Sequence, residues 1–168
     1  MRNNDEKKMK DHLADLRAAD IKKRHAAEDA LVSVGMGAVT PLITFIEGET
    51  ETEPKWYAAR ALARIGPPAV LPLLSAIRSN PREEVRRYLA AAVAEMKEPP
   101  IGEVVALLGE SDPEIRRYGT MILCRIGGPA MEALKTAARD DEGILGRCAQ
   151  YTLLRIGVEP RETPQRKD

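Results

Sequence analysis

The chain has 168 residues, of which 43% are hydrophobic, 4% aromatic and 31% charged, with 26 basic against 26 acidic side chains. That length suffices for one sizeable core. A net charge of zero excludes a global pull towards nucleic acid or anionic membrane, so any electrostatic recognition must come from local segregation of charge. No apolar run approaches the roughly 18 residues of a membrane span. The opening MRNNDEKKMKDHL lacks the apolar centre of a signal peptide. Cys124 and Cys148 stand in predicted helices without CxxC or Cys/His spacing, which reads as reduced, buried thiols in a cytoplasmic protein.

Residues 5–18 have helical spacing, with Met9, Leu13 and Leu16 on one face, and read as a cap over the first open core. Asp20 is placed to N-cap the next helix, which runs to about Val34 and turns its Ala27, Ala30, Leu31 and Val34 inward. Gly35 and Gly37 are expected to end it by a left-handed turn. The return helix carries Val39, Leu42, Ile43 and Ile46. Residues 47–53, EGETETE, have no periodicity and read as the longest and most acidic loop.

From Pro54 the pattern starts again. Ala58, Ala61, Leu62 and Ile65 form one inward set, Gly66-Pro67-Pro68 the break, and Val70, Leu73, Leu74 and Ile77 the second set. Val34-Gly35, Ile65-Gly66, Met96-Lys97, Ile126-Gly127 and Ile156-Gly157 follow one another at spacings of 31, 31, 30 and 30 residues. A fixed period of this length is the signature of a helical solenoid. In the third unit, opened by Asn80-Pro81, the inward set is Val85, Leu89, Ala92, Val93 and Met96, then Ile101, Val104, Val105 and Leu108; Lys97 replaces the turn glycine. The fourth, opened by Asp112-Pro113, uses Ile115, Gly119, Ile122, Leu123 and Ile126, then Met131, Leu134 and Ala138. Lys135 stands in the column of Leu74 and Val105. Residues 141–156 supply a half-unit burying Leu145, Ala149, Leu153 and Ile156. The remaining residues, to 168, read as a disordered tail.

The segment DPEIRRYGTMILCRIGGPAMEAL, Asp112 to Leu134, resembles the HEAT repeat, closest to the short HEAT-like type of phycobilisome lyases. The resemblance covers roughly residues 20–157. It implies an all-α, right-handed α-solenoid of antiparallel helix pairs: a capping helix over 1–19, four repeats and a C-terminal half-repeat over 20–157, and a tail over 158–168. Members of the family generally bind proteins, while some branches are enzymes. The di-iron hydroxylase branch carries His-Glu pairs, whereas here His12 precedes Leu13 and His25 precedes Ala26. The DNA glycosylase branch uses several tryptophans, whereas Trp56 stands alone. No cofactor, metal or catalytic constellation is expected: Ser33, Ser75, Ser79 and Ser111 have no Gly-x-Ser-x-Gly setting, and there is no phosphate-cradling glycine loop.

In such a stack the outward face of the second helices lines the concave side: Thr40, Thr44, Leu71, Ser75, Glu103, Ala106, Glu132 and Thr136, with Pro41, Pro72 and Ala133 between them. These small side chains either admit a partner helix or peptide, or merely allow tight curvature. The first helices carry a second set on the convex side: Trp56, Arg60, Arg64, Arg87, Arg117, Arg125, Arg147 and Arg155, with Met121 and Tyr151 interleaved. This stripe is either a surface for acidic partners or phosphates or a solvated face whose end arginines offset helix dipoles. The neighbouring column Lys55, Arg86 and Arg116 is expected, from the resemblance, to pair with acidic residues at adjacent helix starts such as Asp112. Three functions follow: a non-catalytic protein-interaction scaffold using the concave face or the open C-terminal end, a nucleic-acid binder using the arginine stripe, or an accessory subunit of a lyase-type enzyme. A monomer or a weak homodimer through the C-terminal end is expected.

Overall fold

The computed structural model describes residues 2–140 and 143–158, all of whose regular structure is helical. Of the expected tail over 158–168, Val158 instead ends the last helix, and residues 159–168 lie outside the described residues, as do Asp141 and Glu142 at the start of the expected half-unit. The helices are α1 (Arg2–Asp15), α2 (Ile21–Val34), α3 (Met36–Gly48), α4 (Thr52–Ile65), α5 (Val70–Ser79), α6 (Glu83–Ala94), α7 (Ile101–Ala106), α8 (Pro113–Ile126), α9 (Met131–Asp140) and α10 (Ile144–Val158). Short 3-10 turns at Pro67–Ala69, Leu107–Gly109 and Gly128–Ala130 adjoin α5, α7 and α9. The fold is an all-α solenoid.

One glycine makes each tight turn. Gly35, Gly66 and Gly127 sit at φ of 64°, 74° and 69°, where a Cβ would be strained. Each amide donates back to the helix it ends, to the carbonyls of Val32, Leu62 and Leu123. Each carbonyl then accepts the amide three residues on, from Ala38, Ala69 and Ala130, at 2.9 Å. A single residue therefore closes one helix and opens the next. Gly37, expected to share the first turn, lies inside α3 instead. Gly157 lies inside α10 and is not in the left-handed conformation of the turn glycines.

The caps follow the sequence. The Asp20 carboxylate accepts the Lys22 amide at 2.9 Å, and Asp112 accepts that of Glu114 at 2.8 Å. Residues 47–53 depart from expectation. The helix α3 continues through Gly48, α4 starts at Thr52, and only Glu49 to Glu51 connect them. The Glu49 carboxylate is buried and accepts the amides of Thr50 and Glu51, which folds the acidic run into a tight corner.

Where Lys97 replaces glycine the pattern breaks. The helix α6 stops at Ala94, Glu95 to Pro100 follow without a left-handed residue, and α7 lasts six residues. The chain divides into two compact units here, one through Pro100 and one from Ile101. In the first unit α2, α4 and α6 stack in one layer, and α3 and α5 each nest against the first helix that follows them. Leu31, Leu42, Ile46, Leu62, Leu73, Ile77 and Leu89 are wholly buried there. In the second unit α8 and α10 stack, and α9 packs mainly on α10 around Val104, Leu107, Leu108, Leu123, Leu134 and Ala149. A Cβ on Gly119 would lie 3.0 Å from the Cβ of Leu107, so glycine is what admits the 3-10 turn so closely to α8.

Two inward assignments are corrected. Val34 is 47% exposed at the end of α2 because it stands at the mouth of a groove beneath α1. Lys135 is exposed and pairs with Glu132. The α9 core is carried by Leu134 and Ala137, one turn apart, which leaves position 135 facing water.

Candidate functional site

All eight residues expected on the outward face of the second helices are exposed. In the first unit this face comprises Thr40 and Thr44 on α3 and, one repeat later, Leu71 and Ser75 on α5. Leu71 is 74% exposed, the most exposed large apolar side chain of the described residues. The face continues into a groove of about 790 Å³ between α1 and α3. Met9 and Leu13 form one wall, Pro41 and Phe45 the other, with Val34 at the mouth and Thr40 and Thr44 on the rim. The groove exists because α1 is pinned mainly at its C-terminal end. Leu16 is fully buried, and Arg17 donates to the Glu49 carboxylate at 2.5 Å while lying over the Phe45 ring. In the second unit Glu103 and Ala106 on α7, and Glu132 and Thr136 on α9, stand exposed, with Glu132 paired to Lys135.

The arginine stripe is differently disposed. Trp56, Arg64, Arg87, Arg117, Arg125, Arg147 and Arg155 are exposed and Arg60 is half-buried. Arg60 and Arg64, however, turn onto Glu28 of α2, a carboxylate with no exposed surface. Arg60 clamps it with two donors, one at 2.8 Å, and Arg64 adds a third at 3.0 Å while also pairing with Asp29 at 2.8 Å. The Arg60 guanidinium is held over both the Trp56 and Tyr57 rings, and His25 Nδ1 accepts from it at 3.1 Å. Burial alone would push the Glu28 carboxyl up. The hydrogen bonds and charges of the two arginines outweigh it and hold the group below the ordinary glutamate value of 4.5. Two of the stripe's cations are thereby committed to holding α4 against α2.

The neighbouring basic column pairs as expected at Lys55, whose partner Glu84 lies in the first turn of α6, while Arg86 and Arg116 donate to backbone carbonyls. Arg24, one repeat upstream and not singled out from the sequence, pairs with Glu53 at 2.9 Å and donates to the Ala18 carbonyl at 2.8 Å. Lys55 is 2% exposed, pairs with Glu84 and lies over the Tyr88 ring. Arg86 donates to the Asn80 carbonyl, and Arg116 to those of Glu110 and Ser111, both at 2.7 Å. Asp112, expected as a partner, is the cap of α8. These cations close the connections between repeats. Because Lys55 is buried and Glu84 is not, the partners respond unequally: Glu84→Gln strands a buried ammonium, whereas Lys55→Met removes charge and keeps the stem. Thermal melts are expected to show a larger loss for Glu84→Gln than for Lys55→Met, and the reverse order would mean the ammonium reaches water.

The glutamates at 28 and 49 and the lysine at 55 were not read as buried from the sequence. A signal was present. Glu28 and Arg60, like Arg17 and Glu49, lie 32 residues apart, one repeat plus one position. The same separation joins Thr120 to Thr152, whose hydroxyls meet at 3.2 Å between α8 and α10.

A family model for HEAT repeats matches residues 71–154, half of the chain, and one for the PBS lyase HEAT-like repeat matches residues 54–78. The chain belongs to the HEAT-repeat family. No curated protein matches it. In this HEAT-repeat protein, residues 54–78 span most of α4, its glycine turn and α5, the region that also carries Trp56, Leu71 and Ser75. HEAT repeats generally serve as scaffolds for protein interaction and their families are mostly non-catalytic. Among the described residues no group of three or more His, Cys, Asp or Glu side chains could hold a metal ion, and no helix is long and apolar enough to cross a membrane.

Proposed function

We propose that this HEAT-repeat protein is a non-catalytic scaffold that holds a partner protein on the exposed face of its second helices. The observation that carries the reading is Leu71, a large apolar side chain left bare between small neighbours on a face that runs, through Thr40 and Thr44, into the apolar groove under α1. A bare apolar surface bordered by small residues favours close approach of a helix or an extended segment. Glu103, Ala106, Glu132 and Thr136 extend the same role to the second unit. The division into a capping segment (1–19), repeats (20–157) and a tail (158–168), and a cytoplasmic setting, belong to the same proposal.

The arginine stripe supports a nucleic-acid reading less well. Arg60 and Arg64 are engaged by carboxylates, and a phosphate approaching them would compete with Glu28. Capture from source lysate separates the two. The wild-type protein is expected to retain one protein at stoichiometric level, and Leu71→Glu with Ser75→Glu to lose it, while Arg87→Glu with Arg117→Glu retains it. Loss only with the arginine pair, together with retention of the wild type on immobilised nucleic acid at low salt, would overturn the reading.

A further inference from the structure

The last described helix carries a second bare surface, unrelated to the one above. Gly146, Ala149 and Thr152 point α10 into the second unit's core. On the opposite side lie Ile144, Arg147, Tyr151 and Leu154, all exposed, the three apolar ones at 43%, 57% and 68%. Their spacing of three, four and three residues is that of a coiled-coil seam. Comparison with earlier repeats shows how this seam arises. Ile144 stands one repeat after Glu114 and two after Glu84, and Leu154 one after Cys124 and three after Ala63. The last helix thus replaces an acid and a small residue by large aliphatic ones. The ten residues after α10, EPRETPQRKD, contain no Leu, Ile, Val, Met or aromatic side chain to lay across it.

The stripe is complementary to itself. Ile144 and Leu154 are equally distant in sequence from Ala149, and so are Arg147 and Tyr151, to within the same residue. Two copies of α10 packed antiparallel, with the two-fold axis beside Ala149, set Ile144 against the partner's Leu154 and Arg147 against the partner's Tyr151. Each contact occurs twice, as a two-fold interface requires. The ends of the seam are then aliphatic, and its middle holds two arginines over two tyrosine rings, an attractive arrangement. A parallel pairing would instead put Arg147 against Arg147. The geometry points to an antiparallel homodimer of this chain through the Ile144–Arg147–Tyr151–Leu154 face of α10. It leaves the partner-binding face of the second helices unused, and so stands or falls separately from the scaffold reading.

A single pair of helices covers less than the roughly 1,200 Å² of a stable interface, so the dimer forms at high concentration. Sedimentation velocity of the full chain from about 10 µM to 1 mM is expected to show the mass rise from one chain towards two. Tyr151→Glu and Leu154→Glu should each stay monomeric throughout, with helical circular dichroism unchanged. Register is read in a Cys124→Ala, Cys148→Ala background. Equimolar Ile144→Cys and Leu154→Cys chains, mildly oxidised, should give at least about tenfold more mixed disulfide than either alone, because like positions lie roughly 15 Å apart along antiparallel helices. A chain monomeric at every concentration, a dimer indifferent to Tyr151→Glu, or preferential Leu154-to-Leu154 cross-linking would each overturn the proposal.

Discussion

Leu62→Ala is expected to destabilise the protein by about 2–5 kcal/mol, the range for truncating a large aliphatic side chain in a close-packed core. Leu62 has no exposed surface and lies in α4, the helix that touches α2 and α6 in its own layer and α3 in the other. Leu89→Ala in α6, equally buried, should cost a similar amount. At about 2–4 °C per kcal/mol for a chain of this size, either variant should melt roughly 4–20 °C lower. A midpoint unchanged by both substitutions would mean that the inward register of the first helices is wrong.

Glu28→Gln is the second large effect, expected at about 2–3 kcal/mol near neutral pH. The amide occupies the same space but supplies no charge to Arg60 and Arg64, which would then sit beside a buried neutral group. The partial exposure of both arginines lets water meet some of that loss, which places the cost below that of a fully buried pair. The pH dependence has a defined sign. The Glu28 carboxyl is lowered in the folded protein, as is that of Glu49, where the amides of Glu51 and Thr50 and the Arg17 charge outweigh burial. Folding therefore gains from these groups above about pH 4.5, and the gain is lost as pH falls through their folded values. Urea titrations between neutrality and pH 3 should show the wild type losing more stability than Glu28→Gln, so that the two curves converge in acid. Parallel curves would show that Glu28 is not the group being titrated.

Much of the fold was legible in the residues because the repeat states it several times over. The inward columns through Leu31, Leu62, Val93 and Leu123, the caps at Asp20 and Asp112, and the turns at Gly35, Gly66 and Gly127 follow from apolar period and backbone chemistry. All eight outward positions on the second helices are exposed, since knowing the inward set fixes the outward one. Period alone misled where a charge is buried. Glu28, Glu49 and Lys55 look like surface residues until a partner one repeat away is considered, because hydropathy assigns a paired and an unpaired carboxylate the same value. The run 47–53 looked like a long loop because its glutamates have no apolar period, yet Glu49 supplies its own turn with hydrogen bonds. Lys97 was visible as a departure, but not that α6 would end two residues early and that the chain would divide into two compact units just after it. On α10 the arginines read as part of a basic stripe, while Ile144 and Leu154, the residues of the proposed seam, each adjoin a leucine of the inward set, Leu145 and Leu153, which are themselves half-buried.

The scaffold reading is tested most directly by placing a photo-crosslinking side chain at single positions and irradiating in the source cells. The account predicts that a probe at Leu71 or Thr44 traps the same partner protein, and that a probe at Trp56 or Arg87 does not trap it. The same protein captured from Trp56 and Arg87 but not from Leu71 or Thr44 would contradict the account and move the binding surface to the first helices.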